Sequence, residues 1–161
     1  MEILGDFQTS VRKALEEIDP TYESYPGLVV CGSHDPKNTE QIIEKIYQAR
    51  IAWKPMLLIC MGHQLGAIEY ARNVLGIKDA TSQEFGQPGT FVVRKRTELK
   101  VGLFDGESYW NNYEVDDEIL KRWERPPHCF SSQFHPEYES SRFEPHPLLV
   151  TFLNYARRLV L

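Results

Sequence analysis

Residues 55–65, PMLLICMGHQL, change from one structural pattern to another at a single cysteine. The apolar run before Cys60 is typical of a strand buried on both faces. After it, apolar residues recur at helical spacing as far as Leu75, and Gly76 is suited to end the helix. A turn from strand to helix would expose Cys60 at the edge of a sheet, where the unpaired N–H groups of the helix favour a thiolate. The stretch therefore predicts a nucleophile, although an isolated cysteine is more often a buried structural residue.

The chain on either side of this stretch also alternates between strands and helices. Strands are predicted at residues 2–5, 27–32 and 129–134, and helices at residues 11–18, 39–53 and 147–161. Residues 91–114 contain only short β-like pieces. We therefore predict one three-layer α/β domain over residues 1–161, with a mainly parallel sheet and helices on both faces. Right-handed crossovers would bring Gly32 and Cys60 to the same edge of that sheet.

The composition argues against several kinds of partner. Eighteen Lys and Arg against 23 Asp and Glu give a net charge of −5, so we expect neither nucleic acid nor a membrane surface as a partner. No apolar run is long enough to span a bilayer, and the acidic N-terminus is unlike a signal peptide, so a cytoplasmic location is expected. Three cysteines without a C-x-x-C pair do not indicate a disulfide framework. His128, Cys129, His135 and His146 match no common zinc spacing, and no metal or other cofactor is predicted.

A second motif, QFHPE at residues 133–137, supplies what a cysteine nucleophile needs. A histidine followed two residues later by a glutamate offers a base and a carboxylate that orients it. Together with ICMGHQ at residues 59–64, this motif resembles the class I glutamine amidotransferases, whose Cys–His–Glu triad lies on a G-I-C-x-G-x-Q elbow and an F-H-P-E strand end. Further ordered matches, at residues 6–10, 68–76, 80–85, 113–115 and 145–152, resemble the glutaminase domain of CTP synthase.

The resemblance implies a flavodoxin-like fold and an enzyme that hydrolyses the side-chain amide of glutamine, or of a related γ-glutamyl compound, and releases ammonia. It implies that Cys60 is the nucleophile, His135 the base and Glu137 its orienting partner. The backbone N–H groups of Gly32 and Met61 would hold the oxyanion. The expected substrate-binding residues are Gln64, Glu84, Asn112 and Tyr113. Since the sequence contains no P-loop and no synthase portion, an ammonia acceptor is expected to be a separate subunit or to be absent.

Three positions depart from the family's pattern. Leu58 stands where the family has a glycine two residues before the nucleophile, and the Gly-Gly oxyanion loop reads CGSH at residues 31–34. Asn112 replaces an arginine that pairs with the substrate α-carboxylate, and an amide cannot form that bidentate charged pair. Basic residues at 94–96 could compensate. The alternative interpretation is a catalytically silent binding or regulatory module that has kept the fold.

Overall fold

The computed structural model describes residues 1–161 and begins with alternating strands and helices. The elements are β1 (Glu2–Leu4), α1 (Gln8–Ile18), β2 (Leu28–Val30), α2 (Thr39–Ile51), β3 (Met56–Ile59), α3 (Met61–Asn73), β4 (Ala80–Ser82), β5 (Thr90–Phe104), β6 (Glu107–Val115), α4 (Asp117–Arg122), β7 (Cys129–Ser132) and α5 (Pro147–Arg158). None of the helices is both long and apolar enough to cross a lipid bilayer.

The central sheet is parallel and has the strand order β1-β2-β3-β7. Alternate residues of its strands enter two separate cores. Leu28, Val30 and Leu58 pack with α2 and α3 on one face, while Val29 and Leu57 pack with α1 and α5 on the other. The predicted three-layer α/β fold with a mainly parallel sheet is therefore confirmed. The buried strands are short, and each delivers its C-terminal end to the same edge.

Residues 91–114 are more regular than the sequence pattern predicts. Strands β5 and β6 form a long antiparallel hairpin, and β4 pairs with β5 to complete a second, three-stranded sheet. Asp105 and Gly106 both have positive φ, as a two-residue hairpin turn requires. Most of β5 beyond Val93 is exposed. Because no continuous core faces this part of the strand, its sequence lacks the strict alternation by which a half-buried strand is identified.

Candidate active site

Cys60 occupies the turn that joins β3 to α3. Its backbone is in an unusual region, with φ 53° and ψ −105°, a conformation that carries strain of about 1–3 kcal/mol in a non-glycine residue. Its N–H donates to the Ser132 carbonyl at 2.8 Å, and its carbonyl accepts the Gln64 N–H at 3.1 Å. A Cβ on Gly62 would collide with the carbonyl oxygen of Val30. Glycine at this position therefore allows α3 to begin directly against the sheet.

Leu58 is accommodated in β3 by a second glycine on α3. The leucine side chain is fully buried, and a Cβ on Gly66 would lie 2.6 Å from Leu58 Cδ1. The absence of a side chain at Gly66 therefore makes room for the leucine. The elbow forms with leucine at the position where the family has glycine.

His135 and Glu137 form a buried pair. Nδ1 of His135 lies 2.7 Å from Oε1 of Glu137, and the two residues are 1% and 5% exposed. The imidazole stacks on Tyr138 with ring centroids 4.6 Å apart. Burial lowers the pKa of His135, but the neighbouring Cys60 thiol and Glu137 carboxylate outweigh it and raise that pKa to about 9. The imidazolium form is therefore favoured at neutral pH.

The Cys60 sulfur also contacts groups on β6 and at the end of β7. Gln133 Nε2 donates to Sγ at 3.5 Å, and Sγ lies 3.7 Å from the Trp110 carbonyl oxygen. Gln64 holds this arrangement together, because its Nε2 donates to Gln133 Oε1 at 3.2 Å and to the Tyr113 carbonyl at 2.9 Å. Gln64 is thus oriented by the protein itself.

The two predicted oxyanion donors come from different segments, since Gly32 lies in the loop after β2 and Met61 begins α3. Met61 is the first residue of α3, so its N–H has no acceptor within the helix. The carbonyl of Gly32 accepts the N–H groups of Asp6 and Phe7, both at 3.2 Å, whereas its own N–H donates to no protein group. A Cβ on Gly32 would lie 3.0 Å from His135 Cε1. A single glycine therefore brings this loop against the imidazole.

The predicted residues surround one pocket of about 370 Å³. Its lining comprises Ser33, His34, Cys60, Met61, Gln64, Glu84, Leu99, Trp110, Asn111, Asn112 and Tyr113. All four predicted substrate-binding residues are in this set, as are the cysteine and Met61. Gly32, His135 and Glu137 do not line the pocket, but the glycine and the glutamate both approach the His135 ring.

Sequence reasoning missed part of the pocket wall. The ring of His34 lies edge-on to Trp110, with centroids 4.7 Å apart. Lys95 pairs with Tyr113 and Lys100 pairs with Asn111, so residues 96–99 bulge opposite Asn112. The bulge brings Leu99 to the pocket.

The basic residues at positions 94–96 do not compensate for the missing arginine. Arg94 pairs with Asp116 at 3.1 Å, and Arg96 pairs with Glu114. No lysine or arginine lines the pocket. Burial, with a smaller contribution from Asp35, raises the pKa of Glu84 in the pocket wall to about 6.

Another histidine considered as a metal ligand, His146, has a separate environment. His146 Nε2 lies 2.9 Å from Glu107 Oε2. No three His, Cys, Asp or Glu side chains converge on a point where they could hold a metal ion.

These features of fold and site are accompanied by a family match over most of the chain. The model of the family described as Glutamine amidotransferase class-I matches residues 6–155, and the chain belongs to this family. Within it, the chain is similar to CTP synthases. That of Aeropyrum pernix is 27% identical, over 98% of this chain and 39% of its own length. That of Methanoculleus marisnigri is 30% identical, over 82% of this chain and 34% of its own length.

The fold is also similar to a solved glutaminase domain. The glutaminase domain of Trypanosoma brucei CTPS with bound acivicin superposes with a TM-score of 0.77, covering 98% of this chain and 94% of that one. The two are 19% identical in sequence, so the match concerns the fold. This chain spans less than two fifths of the length of the CTP synthases named above.

Proposed function

We propose that the protein hydrolyses the side-chain amide of glutamine, or of a related γ-glutamyl compound, and releases ammonia. The observation that carries this proposal is the position of Cys60 at a strained elbow, beside the buried His135–Glu137 pair and open to a pocket. A thiol next to an imidazolium at a helix N-terminus has the surroundings that activate cysteine nucleophiles. The family membership established above supports the same chemistry.

The proposed reaction gives each of these groups a role. The Cys60 thiolate attacks the amide carbon, and the backbone N–H groups of Gly32 and Met61 stabilise the oxyanion. His135 donates its proton to the nitrogen as the C–N bond breaks, so ammonia leaves and a thioester remains. His135 then accepts a proton from water, which attacks the thioester and releases the acid. Glu137 keeps the imidazole oriented through both steps.

The setting of the reaction belongs to the same proposal. Residues 1–161 act as one domain, and a synthase domain or subunit accepts the ammonia, as expected for a glutamine-using member of this family. The three cysteines are free, which is typical of a reducing compartment, and we place the protein in the cytoplasm.

Covalent labelling tests the nucleophile. The protein is treated with a glutamine-mimicking electrophile, with iodoacetamide as the control reagent, and the modified cysteine is identified by mass spectrometry. Burial raises the pKa of both Cys31 and Cys129 to about 12, so these thiols stay protonated and Cys60 is the expected site. A folded protein that never labels at Cys60 would instead indicate the silent binding module.

Ammonia release tests the reaction itself. Cys60→Ala is expected to abolish ammonia release in a protein that still folds, because alanine can occupy the same backbone conformation. Ammonia released by Cys60→Ala as fast as by the unmodified protein would remove this cysteine from the mechanism.

A further inference from the structure

The pocket beside Cys60 has an acidic group in its wall and no lysine or arginine to balance it. Glu84 is the only Asp, Glu, Lys or Arg in its wall. The carboxylate of Asp35 lies close enough to act on Glu84, in the direction expected for like charges. Ligand groups near Glu84 therefore meet a negative potential once this carboxylate is ionised. An anionic group placed there is repelled, and a cationic group is attracted.

Three of the four cations on β5 nearest the pocket are engaged with other groups. Arg94 and Arg96 are paired with carboxylates of their own. Lys100 is the register partner of Asn111. Its Nζ lies 3.6 Å from the ring centroid of Tyr109, in a cation–π contact. Lys95 is exposed on β5, and no guanidinium or ammonium group of these strands is part of the pocket wall.

A buried acceptor adds to the same preference. Asn111 is 5% exposed, and its Nδ2 donates to the Tyr113 carbonyl at 3.0 Å. That bond fixes the orientation of the amide, and it leaves Oδ1 buried with no partner. An unsatisfied buried acceptor is costly unless a ligand supplies a donor. Asn111 belongs to the pocket wall, which therefore contains an acceptor that no protein group satisfies.

The bulge of β5 provides an apolar wall. Leu99 and Trp110 both line the pocket, and they are 54% and 47% exposed. These side chains stand beside Asn112, where a substrate carboxylate would need a cation. They are suited instead to an uncharged, apolar substituent.

We propose that the pocket selects a glutamine whose α-carboxyl is uncharged, as in the N-terminal glutamine of a peptide, with its ammonium group facing Glu84 and the following residue packed on Leu99 and Trp110. This inference rests on the proposed amide hydrolysis and specifies its substrate class. Free glutamine is then a poor substrate, because its carboxylate finds no cation.

Two probes that differ in the charge of the α-carboxyl and in the presence of a following residue test the inference. Free glutamine is compared with glutaminyl-leucine N-methylamide, in which only the side chain can release ammonia. Cys60→Ala supplies the blank for spontaneous cyclisation of the N-terminal glutamine. The kcat/KM of the unmodified protein is expected to be at least roughly tenfold higher for the peptide derivative, because only free glutamine brings a carboxylate that is left without a cation.

Two matched variants complete the design. Asn112→Arg is expected to raise kcat/KM for free glutamine by roughly ten- to a hundredfold, with no gain for the peptide derivative. Asn154→Arg adds the same charge on the exposed face of α5 and is expected to change neither value.

The outcomes separate the inference from the proposed function. If free glutamine is hydrolysed as well as the peptide derivative, or better, the inference is wrong while amide hydrolysis stands. If neither probe releases ammonia above the blank, the proposed hydrolysis fails, and the inference fails with it. The ratio measured on the unmodified protein needs no variant, so the test holds even if Asn112→Arg does not fold.

Discussion

Replacing Glu137 by glutamine removes one charge from the buried pair while keeping the shape of the side chain. Burial lowers the pKa of His135, whereas Cys60 and Glu137 raise it to about 9, against an ordinary value of 6.5. Without the Glu137 carboxylate, only Cys60 remains to raise the pKa of His135 against the lowering effect of burial. We therefore expect the pKa of His135 to fall well below 9 in Glu137→Gln. An NMR titration of the imidazole, assigned with His135→Gln, measures this directly.

The same pKa shift predicts how stability depends on pH. Because the folded pKa of His135 lies above its unfolded value, the charged imidazole favours the folded protein, by roughly 3 kcal/mol if the difference between 9 and 6.5 is taken in full. This contribution is fully present below pH 6.5 and is lost as the pH rises through about 9. The free energy of unfolding in urea should therefore be higher for the unmodified protein than for His135→Gln, and this difference should shrink as the pH rises from 6.5 to about 9.

A comparable pair elsewhere provides the control. Glu107→Gln removes the carboxylate beside His146, 2.9 Å away, and should leave the titration of His135 unchanged. In ammonia release, Glu137→Gln is expected to lower kcat by roughly ten- to a hundredfold, since a charged hydrogen bond is worth about 1.5–3 kcal/mol. If His135 titrates near 6.5 in the unmodified protein, or identically in Glu137→Gln, the account of this pair is wrong.

Three further predictions concern the elbow, the core and the pocket. Gly62→Ala should destabilise the protein by at least about 1–3 kcal/mol in urea unfolding, because its Cβ meets the Val30 backbone; unchanged stability would contradict the close approach. Arg50→Met should cost about 3–5 kcal/mol, since it leaves the Glu69 side chain, 2% exposed, without its ion pair; adding Glu69→Leu should recover part of this loss. Glu84 has a raised folded pKa of about 6, so stability relative to Glu84→Gln should rise as the pH falls from about 6 to 4.5, and a flat difference curve would argue against it.

The central sheet and its helices were predictable because each element carries a strong local signal. Residues 56–59 are apolar without interruption because β3 is buried on both faces. The helix that begins at Met61 ends at Asn73, three residues before the glycine predicted to stop it. Boundaries differ by a few residues because helix ends depend on tertiary contacts that periodicity does not encode. Cys60 directly follows β3, and His135 and Glu137 lie in the short segment after β7, so their common position at one edge of the sheet follows from the same logic.

The pocket wall was not predictable for a physical reason. Leu99 reaches the site through a bulge in which four residues of β5 lie opposite one residue of β6, and pairing register in an exposed hairpin is only weakly specified by the pattern of apolar residues. The departure at Asn112 was visible in the sequence, but its consequence depends on what surrounds it. Because Arg94 and Arg96 are paired with carboxylates and the bulge with Leu99 lies opposite Asn112, neither arginine takes the place of the one expected at position 112. The catalysis proposed for Cys60 requires only a correctly placed carboxamide, so the wall could change the substrate class without altering the groups proposed to break the C–N bond.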